Sequence, residues 1–227
     1  MRTKTYVLSS AVATLSLLPF LVPADAAVVV FSDRDVFSQA LDSSPSLVKT
    51  VEAWDTYAPD TIFPNGTTVN GITYNVSFGQ AIVLNTGVNL TSPNLLFETP
   101  GPGFQPLHDT YTFGFPNPIV AFGITFSSTV AVNNGDYLLT TNLGDVVSSF
   151  FDPLYPGSPI GQFAGFISDT PFTSVTVSST ANALYGMDNL VYGRTRAAAL
   201  PEPSMLSLLG MLLGVIMVTT RNRRRSS

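Results

Sequence analysis

Two segments with chemistry-bearing side chains stand near opposite ends of the central part of this sequence: Val51-Glu52-Ala53-Trp54-Asp55 and Gly186-Met187-Asp188-Asn189-Leu190. The first reads as part of an early strand and the second as the opening of the last one, so the two are expected to meet. A carboxylate, a side-chain amide oxygen and backbone carbonyls converging on one spot suit a hard cation, which makes Glu52, Asp188 and Asn189 a candidate calcium set. The same residues also fit a plainer role, with Asp188 and Asn189 capping a turn and Glu52 solvated. Both readings stand at this level. Trp54 shares a segment with two acids and is the candidate platform for stacking a sugar, with Tyr57, Tyr155 and Tyr185 the other aromatics near predicted turns. A lone Trp among strands is more often core.

Catalytic signals are sparse. The single histidine, His108, stands beside Asp109 in the Pro/Gly-rich stretch from Thr99 to Thr110. A general base there would need a carboxylate to orient it, yet adjacent strand residues point to opposite faces. No Gly-x-Ser-x-Gly elbow and no His-Glu-x-x-His motif occurs. The absence of cysteine removes a thiol nucleophile and a thiolate zinc site. Paired carboxylates for glycoside hydrolysis would converge only in the fold, and nothing in the spacing of Glu52, Glu98, Asp109, Asp136 and Asp152 selects a pair. The sequence reads as non-enzymatic, with a polysaccharide-modifying hydrolase as the lesser alternative.

The elements that would position these residues are mostly strands. The chain has 227 residues, 11% charged and 45% apolar, which excludes an intrinsically disordered protein. Between Ala27 and Gly193 there are thirteen acidic residues against Arg34 and Lys49, a net charge of −11. Such a surface repels phosphate backbones and excludes nucleic acid as a partner. Large apolar residues alternate with small or polar ones over Val120–Ser127 and Thr173–Ser178, the pattern of half-buried strands. Further runs lie at Val28–Phe31, Leu47–Asp55, Ile72–Phe78, Ala81–Leu84, Tyr111–Phe115, Tyr137–Thr141, Phe163–Ile167 and Leu190–Tyr192. Gly, Pro, Asn and Asp clusters separate them. About ten short strands predict a mainly β fold, an antiparallel two-sheet sandwich of jelly-roll type. One short N-terminal helix is expected over Arg34 to Leu41, capped by Ser32 or Asp33, with Val36, Phe37, Ala40 and Leu41 on its apolar face.

The two ends carry addresses rather than chemistry. Arg2 and Lys4, the apolar run Tyr6 to Val22 and the small residues Ala24 and Ala26 form the three-part pattern of a signal peptide over 1–26, cut by signal peptidase after Ala26. A six-residue linker, 194–199, leads from a domain over 27–193 to a segment over 200–227. There Pro201-Glu202-Pro203 precedes an uncharged apolar run, a single transmembrane helix expected over 204–220. Arg221, Arg223, Arg224 and Arg225 close it as a membrane stop signal, on the cytoplasmic side.

That order of parts, over about 28 residues from Leu200 to Ser227, resembles the PEP-CTERM sorting signal of Gram-negative bacteria. It departs from the commonest form in having Leu200 where Val is more usual. The resemblance implies a membrane-embedded exosortase as partner. It also implies passage through an inner-membrane intermediate, and release to the cell surface, extracellular matrix or exopolysaccharide of a biofilm. Phe163 to Gly193, with Phe166 to Phe172 and Met187-Asp188-Asn189-Leu190, is similar to sandwich domains among PEP-CTERM cargo. In jelly-roll carbohydrate-binding modules, an early-strand Glu and a last-strand Asp-Asn often share a structural calcium; that resemblance implies the same ion at Glu52 and Asp188. The leading expectation is an exported surface or matrix protein associated with exopolysaccharide, and the alternative is a calcium-dependent carbohydrate-binding module.

Overall fold

The computed structural model describes residues 27–77, 79–85, 94–98, 110–128, 132–152, 161–180 and 185–196. Outside them lie the signal segment with Ala24 and Ala26, the His108–Asp109 pair, Tyr155, Pro201-Glu202-Pro203, the helix expected over 204–220 and the arginines from 221 to 225. Among the described residues no helix is long and apolar enough to cross a membrane.

The order along the chain is β1 (Val28–Phe31), α1 (Arg34–Asp42), β2 (Leu47–Glu52), β3 (Ile62–Phe63), β4 (Thr67–Val69), β5 (Ile72–Val76), β6 (Ala81–Leu84), β7 (Leu95–Glu98), β8 (Tyr111–Ser128), β9 (Tyr137–Thr141), β10 (Val146–Ser148), β11 (Phe150–Phe151), β12 (Gly161–Ser179) and β13 (Tyr185–Thr195). All pairings are antiparallel. β13 runs to Thr195, pairing Arg194 with Val48 and Thr195 with Leu47, so the start of the expected linker is strand.

The runs expected at Tyr111–Phe115 and Val120–Ser127 are one strand, β8, and those at Phe163–Ile167 and Thr173–Ser178 are one strand, β12. Both strands change direction at the same level. In β8 the exposed Pro116-Asn117-Pro118 supplies two residues without an N–H to donate, and in β12 the register slips between Ile167 and Phe172. Bends and bulges of this kind let one strand serve two layers. The result is a single continuous hydrogen-bonded sheet folded over itself, rather than two separate sheets. The first layer holds β1, the early half of β12, the late half of β8, β13 and its neighbours β2 and β7, then β6 and β3. The second holds β10, β9, the late half of β12, the early half of β8, β5 and β4.

Inward residues of both layers form one core. Phe113, Val175, Val177 and Leu139 from the second layer meet Phe122, Phe126, Phe166 and Met187 from the first. Aromatic pairs cross between the layers: Phe126 stacks on Tyr137 with centroids 4.4 Å apart, and Phe115 lies 5.1 Å from Tyr192. Each such buried ring contributes roughly 1.5–3 kcal/mol.

Helix α1 covers the outer side of the first layer. Asp33 caps it, its carboxylate accepting from the Asp35 and Val36 N–H groups at 2.8 and 3.0 Å. Phe37 and Leu41, four residues apart on one helix face, pack with Ala121, Phe163 and Val191. Val36, expected on that face, is rotated off it and exposed. The sheet beneath is stripped of side chains: Gly123 pairs with Gly165, and a Cβ on Gly123 would stand 2.6 Å from Phe37 Cε1.

Candidate functional site

Glu52 ends β2 opposite Leu190, and the alternation that turns Lys49 out toward Asp42 and Ser38 of α1 turns Glu52 inward. Its carboxylate is buried. The Trp54 N–H donates to Oε1 at 3.3 Å and the Asn70 amide to Oε2 at 2.8 Å. The same amide donates to the Tyr57 hydroxyl at 2.7 Å, and the Tyr192 hydroxyl donates to the Asn70 carbonyl at 3.3 Å. Trp54 and Asn70 both take left-handed backbone conformations, φ 55° and 50°, which turn the chain sharply enough to bring these donors to one carboxylate. Burial, and then the Glu52 charge, hold the Tyr57 phenol above its ordinary value. The cluster therefore ties the connection after β2 to the turn between β4 and β5 and to β13.

Trp54 is not a sugar platform. It is fully buried in the main core, its indole N–H donating to the Tyr74 hydroxyl at 3.2 Å. The two flanking acids make it a candidate platform, but the core placement more usual for a lone Trp holds: the turn at Trp54 swings the ring into the sandwich. Tyr185 is buried as well, 4.9 Å from Tyr137.

Asp188 and Asn189 do not join Glu52 in a ligand set. The expected neighbours do meet, since β2 pairs with β13. In a regular strand Asp188 would face the same side as Leu190, and so as Glu52. The register instead slips between Asp188, opposite Thr125, and Val191, opposite Gly123, so β13 carries one extra residue. Met187 and Leu190 face the core while Asp188 and Val191 face the helix-bearing side. The bulge reverses Asp188. Its carboxylate accepts from the Asn189 N–H at 2.7 Å and the Asn189 amide at 3.1 Å, holding Asn189 at φ 48°. Among the described residues no group of three or more His, Cys, Asp or Glu side chains assembles to hold a metal.

Among the remaining described acids, Asp33, Asp35 and Asp42 line one open hollow along α1. Asp136 closes the turn Asn133-Asn134-Gly135-Asp136, accepting from the Asn133 N–H at 2.5 Å and from the Thr180 hydroxyl at 3.3 Å. Asp152 is buried beside β11.

What sequence reasoning missed is a surface. The outward side of the second layer has no charged residue at its paired strand positions. One row runs Asn75, Thr112, Thr176 and Thr140 across four strands; the next runs Thr68, Thr73, Gly114 and Ser174. The Thr68 and Thr73 hydroxyls lie 2.7 Å apart, and those of Thr112 and Thr176 3.0 Å. The signal was present as Thr, Ser and Asn at the alternate positions of each strand. It lay in segments up to about a hundred residues apart, so only the pairing reveals it.

No family model matches the chain, and no curated protein matches it. Among solved structures it is similar to a mutant of a family 29 carbohydrate-binding module, at 10% identity and a TM-score of 0.38, over 69% of this chain and 98% of that one. It is similar to a family 29 module from Piromyces equi at 10% identity and a TM-score of 0.36, over 69% and 96%. It is also similar to the catalytic unit of a GH87 alpha-1,3-glucanase from Streptomyces thermodiastaticus at 10% identity and a TM-score of 0.32, over 64% and 29%.

Proposed function

We propose that this chain is an exported, non-catalytic carbohydrate-binding protein of the cell surface or extracellular matrix. Its β-sandwich, of jelly-roll-like character, associates with exopolysaccharide. Signal peptidase and an exosortase deliver it, by way of an inner-membrane intermediate. The delivery half of this reading rests on the sequence of the two ends. The binding half is carried by one observation: in a chain whose residues 27–193 carry a net charge of −11, one sheet face presents rows of hydroxyl and amide groups with no charge, bordered at β10 by exposed Val146. A neutral polyhydroxylated polymer suits that face. Its hydroxyls both donate and accept, as those of Thr and Ser do. The non-catalytic half is supported by the placement of the candidate acids: buried Glu52 accepts from the Trp54 N–H and the Asn70 amide, and Asp188 accepts from the Asn189 N–H and amide.

The test has two parts. The full chain is mixed with exopolysaccharide of the producing organism and the unbound protein is quantified; depletion is expected, and its absence overturns the binding reading. Separately, deletion of Pro201 to Ser227 is expected to change the mature mass and to abolish delivery to the surface. Unchanged mass and localisation overturn the sorting reading.

A further inference from the structure

The open face of the second layer is more regular than a general attraction for sugars requires. Register sets Asn75 beside Thr112, Thr112 beside Thr176, and Thr176 beside Thr140, so side-chain polar groups cross four strands in line. Strands lie about 4.8 Å apart and same-face residues about 6.7 Å apart along a strand, so the two rows form a two-dimensional array, with a gap in the second row at Gly114. Threonine is stiff at χ1, and the Thr68–Thr73 and Thr112–Thr176 contacts fix the hydroxyls further. Each hydroxyl still has capacity for a ligand, since it carries one donor and two acceptor sites. The groups are therefore preorganised, and little side-chain freedom is lost on binding.

This arrangement decides between kinds of carbohydrate. A hydroxyl–hydroxyl bond exchanged against water contributes little by itself. A single soluble oligosaccharide laid on an open sheet face makes too few of them to offset its lost translational freedom. A polymer already packed into a sheet or fibre presents its own repeat of hydroxyls and meets many at once. The surrounding acidic domain disfavours an anionic polymer.

We infer that the lattice centred on Thr112 and Thr176 is a docking surface for neutral polysaccharide packed into sheets or fibres, held by repeated hydroxyl hydrogen bonds without aromatic stacking. The inference rests on the proposed carbohydrate association and adds the class of ligand and the residues that hold it.

The test is a depletion assay with the full chain against microcrystalline cellulose, chitin and curdlan as packed neutral polymers, cellohexaose as a soluble oligomer and alginate as an anionic polymer. At least one packed neutral polymer is expected to deplete the protein, with cellohexaose failing to compete and alginate failing to bind. The double variant Thr112→Val, Thr176→Val keeps shape and removes hydroxyls; it is expected to bind at least fivefold more weakly, with an unchanged melting temperature. Thr176→Lys is expected to weaken binding at least tenfold. Binding that both variants leave intact would overturn the lattice while sparing carbohydrate association. Tight binding of cellohexaose or alginate in place of the packed polymers would overturn the assigned ligand class. Failure of the wild-type chain to bind any carbohydrate, its own exopolysaccharide included, would sink the proposed function and this inference with it.

Discussion

Glu52 and Asp188 sit on neighbouring strands and face opposite sides of the layer: Glu52 looks into the core opposite Leu190, and Asp188 looks out opposite Thr125. One extra residue in β13 makes the difference, since a single-residue slip exchanges the faces of a strand. Each carboxylate has then been given its own local donors.

The first prediction concerns calcium. Chelation with EDTA is expected to leave the melting temperature of the full chain unchanged, with or without Asp188→Ala. Glu52→Ala should instead destabilise by about 2–3 kcal/mol regardless of calcium, because the Trp54 N–H and Asn70 amide lose a charged acceptor at a buried site. Chelation that lowered the melting temperature of the wild type but not of Asp188→Ala would restore a shared ion.

Trp54→Phe tests whether the indole is structural. The change removes the donor to the Tyr74 hydroxyl and part of a fully buried ring. A loss of about 1–2 kcal/mol is expected from the orphaned partner, measured by urea unfolding, with polysaccharide depletion unaltered. A stable variant that no longer binds would return Trp54 to the binding surface.

The close seat of helix α1 gives the third prediction. Gly123→Ala would press a methyl against Phe37 and against Phe163, whose Cζ stands 3.0 Å from the added Cβ. Overpacking of this kind costs about 1–3 kcal/mol. Adding Phe37→Leu should recover part of that loss, so the two changes should be non-additive. Strict additivity in a double-mutant cycle would mean that the helix does not rest on this glycine.

Much of this architecture is legible from alternation alone. β1, β6 and β9 have the bounds that their apolar periodicity predicts, and α1 extends only one residue past expectation, because each is a local pattern with a local stop. The two-residue strands β3 and β11 leave no such pattern; they exist because β6 and β12 offer them a ladder. The merging of four expected strands into β8 and β12 was hidden by Pro116, Pro118 and Pro171, which read as breaks and act as bends. At the candidate site, the pairing of β2 with β13 follows from strand order, but the parity at Asp188 does not. A bulge is set by how both strands settle on the core, and no spacing in either strand announces it.

The fourth prediction concerns alkaline pH and the stacked pair Phe126–Tyr137. Burial pushes the Tyr137 phenol up to about 12 from its ordinary 10.0, and burial raises Tyr74 further in the same direction. The sign follows from proton counts. Between pH 10 and 12 the unfolded chain releases these phenolic protons while the folded chain keeps them, so the free energy of unfolding falls as pH rises. The contribution is fully present below pH 10 and is lost as pH climbs through the folded value. Denaturation midpoints should therefore be flat from pH 7 to 9 and fall steeply above 10, with phenolate absorbance near 295 nm appearing together with loss of structure. Tyr137→Phe removes one of the titrating groups and should make the fall above pH 10 shallower, with Tyr74 still contributing. An equally steep fall in Tyr137→Phe, or phenolate absorbance that reaches completion in the folded state near pH 10, would place Tyr137 in contact with solvent and contradict the packing of the two layers around it.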